Sequence, residues 1–223
     1  MAKNKSEFVK NLKLTAPASM EYFVPLSSDK DKHKFISRVE KLVRSSLEYR
    51  DYIGFLKEHI GLDSCVFFQN IGGGDGTKKN RISIELHHEP FTLYDIVKTV
   101  LTKYQEEGLP INDLDIADEV MEIHYSNKVG LVPLSKTAHQ IIHNSTKLMV
   151  PLTMVYGSYS QFLDEYEPYV DDYLYEKLEK KIDMTNNLTP ESFEAIKKEF
   201  TYLEVEGFDD VDKMELQSKI NIA

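Results

Sequence analysis

Cysteine is almost absent from this chain of 223 residues, in which Cys65 is the only one. A single cysteine excludes a disulfide within the chain, and it also excludes the paired Cys-x-x-Cys knuckles that hold a structural zinc ion. Cys65 begins the apolar run Val66-Phe67-Phe68. We therefore expect a buried thiol that belongs to the core.

Long apolar runs are missing as well. No stretch reaches the length of a transmembrane helix, and the polar segment Met1 to Lys13 lacks the apolar stretch of a secretory signal. The content of hydrophobic residues, 41%, and of aromatic residues, 11%, is typical of a globular protein. We therefore expect a cytoplasmic protein with a substantial core and no membrane association.

A surplus of positive charge is also lacking, because the formal net charge is −10. This value argues against a simple nucleic-acid binder, whose affinity comes mostly from Lys and Arg on phosphates. The charge is unevenly distributed, however: residues 149–223 hold 7 Lys and Arg against 17 Asp and Glu, whereas residues 1–148 are balanced. The first two thirds of the chain can therefore face a phosphate backbone.

The acidic last third admits several interpretations. A solvated helical cap on the core is the first of them. The segment could instead mimic DNA, block a cleft of the protein itself, or bind a basic protein partner.

Histidine is concentrated in two places. Four of the seven histidines lie in Glu85-Leu86-His87-His88 and, after Leu131-Val132-Pro133-Leu134-Ser135, at His139 and His143. Side chains four residues apart on a helix share a face, so His139 and His143 present two imidazoles to one point, as a transition metal requires. A histidine pair at a strand end can add a third ligand and a base. His33, His59 and His124 have no partner at this spacing, and we expect them to be ordinary polar or core-edge residues.

Each motif is weak evidence alone, but their order, the Leu-x-Pro-Leu strand and the cap position of Ser135 agree with one template. Residues 81–144 resemble the core of the HNH (His-Me finger, ββα-metal) nucleases, and Glu-Leu-His-His is similar to the wording of the colicin-type DNases. The resemblance implies a strand over 81–88, a second strand over 129–134 and a helix over 135–144. It also implies that His87, His139 and His143 are metal ligands and that His88 is the general base.

The chain departs from the family at one position. The asparagine that braces the two strands in the family would fall at Gly130, with Asn127 as the nearest substitute. The connection between the strands, 91–127, is long and has the pattern of two helices. Thr92 can cap the first, which Gly108 and Pro110 end, and Ile116, Val120 and Ile123 repeat at helical spacing in the second. Such a helical hairpin could take over the bracing role.

The residue types define the chemistry of the implied site. One divalent ion bound by three imidazoles keeps coordination positions open for a phosphate oxygen and for the departing 3′ oxygen. A further histidine that binds no metal can take a proton from the attacking water. Imidazole suits zinc, nickel, cobalt or manganese better than magnesium, and the identity of the metal stays open. Glu85 shares a strand face with His87, where it either orients an imidazole or is a solvated carboxylate.

The glycine-rich segment 72–81 precedes the first histidine strand. A hairpin loop is the plain structural interpretation, and phosphate contact by Lys78, Lys79 and Arg81 is the functional one. It is not a Walker loop, since the Gly-Lys-Ser/Thr ending is missing. Lys136, at the start of the His-x-x-x-His helix, is a further predicted nucleic-acid contact.

We predict an α+β fold with a small ββα-metal core and surrounding helices. The predicted organisation is a tail and linker over 1–34, a long amphipathic helix from Phe35 to Ile60 with the histidine core over 35–148, and an acidic helical region over 149–223. That last region has helical stretches over 158–182 and from Thr189 to about Phe200.

The predicted function is metal-dependent endonuclease activity, the hydrolysis of phosphodiester bonds in DNA with little sequence preference. The alternative is a non-catalytic interaction protein that keeps the histidine-metal site as structure and binds a partner through its acidic C-terminal region. Richness in Lys, Asn, Ile, Glu and Tyr is compatible with the AT-rich genome of a bacteriophage. A phosphoesterase acting on nucleotides or RNA is a third interpretation. The accessibility of His88 separates catalysis from the structural role.

Overall fold

A computed structural model describes residues 26, 28–68, 83–144, 150–192 and 194. The described part is mostly helical, with one two-stranded antiparallel sheet. The α+β class is therefore confirmed. The helices are α1 (Asp29–Ser45), α2 (Leu47–Phe55), α3 (Leu93–Glu106), α4 (Asp113–Tyr125), α5 (Lys136–Asn144), α6 (Tyr159–Tyr166) and α7 (Asp172–Asn186), and the strands are β1 (Ile84–His88) and β2 (Leu131–Ser135).

The N-terminal helical region is broken where one continuous helix is predicted. Ser28 caps α1 by accepting the Asp31 N–H, so the helix begins at Asp29 and the predicted linker up to residue 34 is wrong over its last six residues. Ser46 interrupts the helix in an extended conformation, and its hydroxyl accepts the Tyr49 N–H to start α2. A π-helical turn, Leu56–Ile60, ends this region.

The insertion between the strands is the predicted helical hairpin. Thr92 and Asp95 form a capping box at the start of α3, and Asn112 caps α4 by accepting the Asp115 N–H. The apolar faces of both helices pack on α1, which buries Ile96, Val100 and Val120 completely or nearly so. This prediction is confirmed.

β1 and β2 pair so that His87 faces Val132 and His88 faces Leu131. α5 follows β2 directly and packs against both strands. Its first turn is capped by Ser135, whose hydroxyl accepts the Ala138 N–H at 3.2 Å. The predicted strands and helix are thus present with shifted bounds, and residues 81 and 82 of the predicted first strand lie outside the described residues.

The acidic C-terminal region docks α7 on the rest of the chain through charged contacts. Asp171 caps α7 and pairs with Lys98 of α3, and Lys177 lies 2.8 Å from the Asp95 carboxylate. Leu152, in the 3-10 turn Leu152–Met154, donates its N–H to the Thr185 hydroxyl. The described part of this region is helical, as predicted.

Two apolar clusters form the core. The larger joins α1 to α4 with α6 and α7, and the smaller contains Cys65, Val132, Leu134 and Ala138 between the sheet and α5. Cys65 is a buried free thiol, as predicted. Among the described residues no helix is both long and apolar enough to span a membrane.

Gly130 occupies a position that no other residue fits. A Cβ there would lie 1.8 Å from the Glu89 carbonyl oxygen and 2.7 Å from Val155, while the Glu89 N–H donates to the Gly130 carbonyl at 3.0 Å. The close approach of the two backbones leaves no room for the asparagine that the resemblance to the HNH nucleases would place here.

Gly130→Ala should therefore destabilise the protein by at least about 2 kcal/mol, because the new methyl group forces the strand ends apart. Gly54→Ala is the matched control: Gly54 lies in α2 with nothing within 4 Å of its added Cβ. That change should stabilise the helix by roughly 0.5–1 kcal/mol. Urea unfolding of both variants measures the difference, and equal effects would contradict the close approach.

Candidate metal centre

Three of the predicted histidines come together at the sheet. His87 is the fourth residue of β1, and His139 and His143 lie one helical turn apart on α5, which packs over the strands. The centroid of the His87 ring lies 5.0 Å from the centroid of His139 and 5.0 Å from that of His143, and the centroids of His139 and His143 are 4.5 Å apart. One nitrogen of each ring falls within 4.8 Å of the others, so the three rings face one point.

The spacing of the nitrogens suits a metal ion. Nε2 of His139 and Nε2 of His143 are 3.0 Å apart. Two nitrogens about 2.0–2.1 Å from a tetrahedral zinc ion are separated by roughly 3.3 Å. The His139 and His143 pair therefore fits a divalent transition metal with a small adjustment, and the nitrogen of His87 lies within 4.8 Å of both. His87 is buried and His143 is exposed, so the cluster extends from the core to the surface.

Glu85 forms a hydrogen bond with the ring of His139. Its carboxylate accepts the Nδ1–H of His139 at 2.5 Å, which leaves the lone pair of Nε2 free on the side of the other histidines. The sequence left open whether Glu85 orients an imidazole or is a solvated carboxylate, and the structure puts it against His139. Burial and the nearby His139 lower the pKa of His143, which favours the neutral imidazole that a metal needs.

Glu89 is a second carboxylate at the cluster, and the sequence analysis missed it. It is 4% exposed, and its Oε2 lies 3.4 Å from His87 Nε2. Lys181 of α7, itself 8% exposed, pairs with Oε1 of the same carboxylate. Burial by itself would raise the pKa of Glu89, but the contacts with His87 and Lys181 outweigh it and hold that pKa below its ordinary value. The two-residue spacing from His87 could have identified Glu89, whereas no spacing identifies Lys181, which is distant in the chain.

His88 lies apart from the other three histidines. Successive side chains of a strand point to opposite faces, and His88 points into the helical core, where it is 4% exposed. Its Nε2 lies 3.0 Å from Nε2 of His124, and its ring stacks on Tyr49 at 6.4 Å. Burial, and next His124, hold the pKa of His88 well below its ordinary value.

His124 is thus a buried partner and not a core-edge residue as expected. It is completely buried in α4, and its Nδ1–H donates to the Val120 carbonyl at 2.7 Å. Its Nε2 must then accept the Nε2–H of His88, so both rings are neutral. Burial lowers the pKa of His124 to about 4, although the hydrogen bond to Val120 acts in the opposite direction.

The remaining predicted residues are placed elsewhere. Asn127 lies two residues after α4 with a φ of 56°, and its carbonyl accepts the Ser158 N–H at 2.8 Å, so its backbone joins the insertion to the C-terminal region. Lys136 is exposed at the start of α5. Lys78, Lys79 and Arg81 lie outside the described residues, as does the rest of segment 72–81.

The His124 pair predicts acid sensitivity. The unfolded histidine takes up a proton near its ordinary pKa of about 6.5, whereas the folded one resists protonation down to about 4. The stabilising contribution of the neutral His124 is therefore fully present above the pKa of the unfolded chain, and it is lost as the pH falls from that pKa toward the pKa of the folded state. His124 alone should cost about 2 kcal/mol between pH 7 and pH 5, and His88 adds to the loss.

Urea unfolding at several pH values between 7 and 5 measures this slope. His124→Gln should flatten it, whereas His59→Gln should not, because His59 is exposed. A wild-type stability that stays constant over this range would contradict the neutral buried pair.

Comparison with known proteins gives one result. No curated protein and no solved structure matches the chain. Residues 2–217, nearly the whole chain, match the family described as Bacteriophage G278-like virion protein. The bacteriophage origin suggested by the composition agrees with this match, whereas no nuclease family is found. The chain belongs to the Bacteriophage G278-like virion protein family.

Proposed function

We propose that this protein is a non-catalytic virion component in which His87, His139 and His143 bind one divalent metal ion that staples β1 to α5. In this proposal the acidic region 149–223 binds a protein partner. Family membership supports a structural role in the phage particle. The observation that carries the proposal is the burial of His88 against His124.

The metal role rests on the donor set. One nitrogen of each of the three imidazoles lies within 4.8 Å of the others, and two of the rings each contact a carboxylate, His139 that of Glu85 and His87 that of Glu89. Carboxylates in this position fix the tautomer of a ligating histidine and raise its basicity. The bound ion would join a strand to a helix that are separated by a long insertion, and it would add its binding free energy to folding.

A general base needs access to the water that it deprotonates, and His88 has none in this arrangement. Its Nε2 is engaged by His124, it points to the opposite face of β1 from His87, and its pKa is far below neutrality. A histidine that resists protonation near neutral pH is a poor proton acceptor. The ligand set can therefore persist without the hydrolytic reaction.

Endonuclease activity is the second candidate. It is favoured by the order of the elements, because β1 with His87, then β2, then the helix with His139 and His143 follow one another in the order that a ββα-metal core requires. The exposed His143 and Lys136 would then face the DNA. This candidate needs a different residue in the role of the base, or a rearrangement that exposes His88.

Zinc should stabilise the wild-type protein. At a free zinc concentration of one hundred times Kd, binding adds about 2.7 kcal/mol, which corresponds to a rise in Tm of roughly 5–10 °C for a chain of this size. His143→Ala should abolish the shift because it removes a ligand. His59→Ala, a change of an exposed histidine outside the cluster, should retain it.

The same preparations should leave supercoiled plasmid intact with magnesium, manganese, nickel or zinc. Nicking that depends on metal and disappears in both His143→Ala and His88→Ala would overturn the non-catalytic proposal and establish the nuclease. A chain that shows neither nicking nor a zinc shift would overturn the metal site.

A further inference from the structure

The C-terminal helix reaches the histidine cluster through a buried ion pair. Lys181 of α7 pairs with Glu89, which directly follows β1, and both side chains are nearly inaccessible to solvent. The other oxygen of this carboxylate lies 3.4 Å from Nε2 of His87. The contacts therefore run from the acidic C-terminal region to a proposed metal ligand.

The backbone of Glu89 allows its side chain little freedom. Its N–H donates to the Gly130 carbonyl at 3.0 Å, and its own carbonyl lies against the Cα of Gly130, where even a methyl group has no room. A buried carboxylate also needs a partner for its charge, and Lys181 supplies that partner. The cation thus decides where the Glu89 carboxylate rests.

We propose that Lys181 is a positioning residue of the metal site: it holds the Glu89 carboxylate against His87 Nε2, which fixes the ring with Nδ1 free for the metal. This inference rests on the metal site proposed above. A carboxylate behind a ligating histidine sets its tautomer and orientation, and its loss costs roughly 10–100-fold in metal affinity. Lys181 acts on the same quantity through Glu89.

The coupling between metal binding and the docking of α7 is reciprocal. If the docking of α7 on the rest of the chain strengthens metal binding, metal binding must strengthen that docking by the same factor. The helix that carries Lys181 belongs to the region proposed to bind a partner. The metal site is therefore completed by that region and is coupled to it.

Zinc affinity of the full-length chain, measured by competition with a chromophoric chelator, tests the proposal. Lys181→Met should weaken zinc binding roughly 10–100-fold and alter the visible absorption spectrum of the cobalt-loaded protein. Two controls should keep the wild-type affinity and spectrum. Lys177→Met breaks the ion pair that ties the same helix to Asp95, and Lys180→Met changes an exposed neighbour.

Lys181→Met leaves the buried charge of Glu89 unpaired, which can prevent folding. A double variant without that charge tests the proposal in this case. Glu89→Gln/Lys181→Met removes both charges and keeps an amide oxygen that can accept from His87. Its zinc affinity should lie between those of Lys181→Met and the wild type. Hydrogen exchange supplies the reciprocal readout: zinc should slow exchange in α7 of the wild type and of Lys180→Met, and not in Lys181→Met.

Equal weakening by Lys177→Met and Lys181→Met would overturn the positioning role, because a general loosening of α7 would then suffice. Unchanged affinity in Lys181→Met, with zinc binding still lost in His143→Ala, would overturn the positioning role and leave the metal site standing. A wild-type chain that binds no zinc would overturn both.

Discussion

The two faces of β1 govern the organisation of this protein. Neighbouring residues of a strand point in opposite directions, so His87 joins His139 and His143 under α5 while His88 enters the helical core. A motif of two adjacent histidines is thereby divided between two environments. One side brings three imidazoles together, and the other buries a hydrogen-bonded pair of rings. The chemistry available at the site follows from this division.

The second constraint is the contact between the ends of the strands. Gly130 and Glu89 approach so closely that only glycine fits, and this contact directs the Glu89 carboxylate toward His87 and Lys181. The same glycine replaces the asparagine that the HNH resemblance would require. The close packing at Gly130 thus excludes the asparagine of the HNH resemblance, and it involves the residue, Glu89, that pairs with Lys181 of α7. In the proposed function, a metal ion at the three histidines would contribute to folding without any selection for turnover.

Much of the fold was predictable because its signals are local. The caps at Thr92 and Ser135 and the helical spacing in the insertion identify α3, α4 and α5 from short windows. The spacing of His139 and His143 likewise anticipated two of the three clustered rings. The break at Ser46 was missed, since the apolar pattern continues across it. Lys181 and His124 were missed because their partners lie far away in the chain and no periodicity connects them, whereas Glu89 stands two residues after His87, a spacing that could have identified it.

The most direct test of the central claim is a crystal structure of the zinc-loaded protein with anomalous scattering measured at the zinc edge. We expect one zinc ion bound by His87, His139 and His143, with His88 still hydrogen-bonded to His124 and excluded from solvent. A zinc ion with an open position facing a solvent-exposed His88 that has left His124 would contradict it.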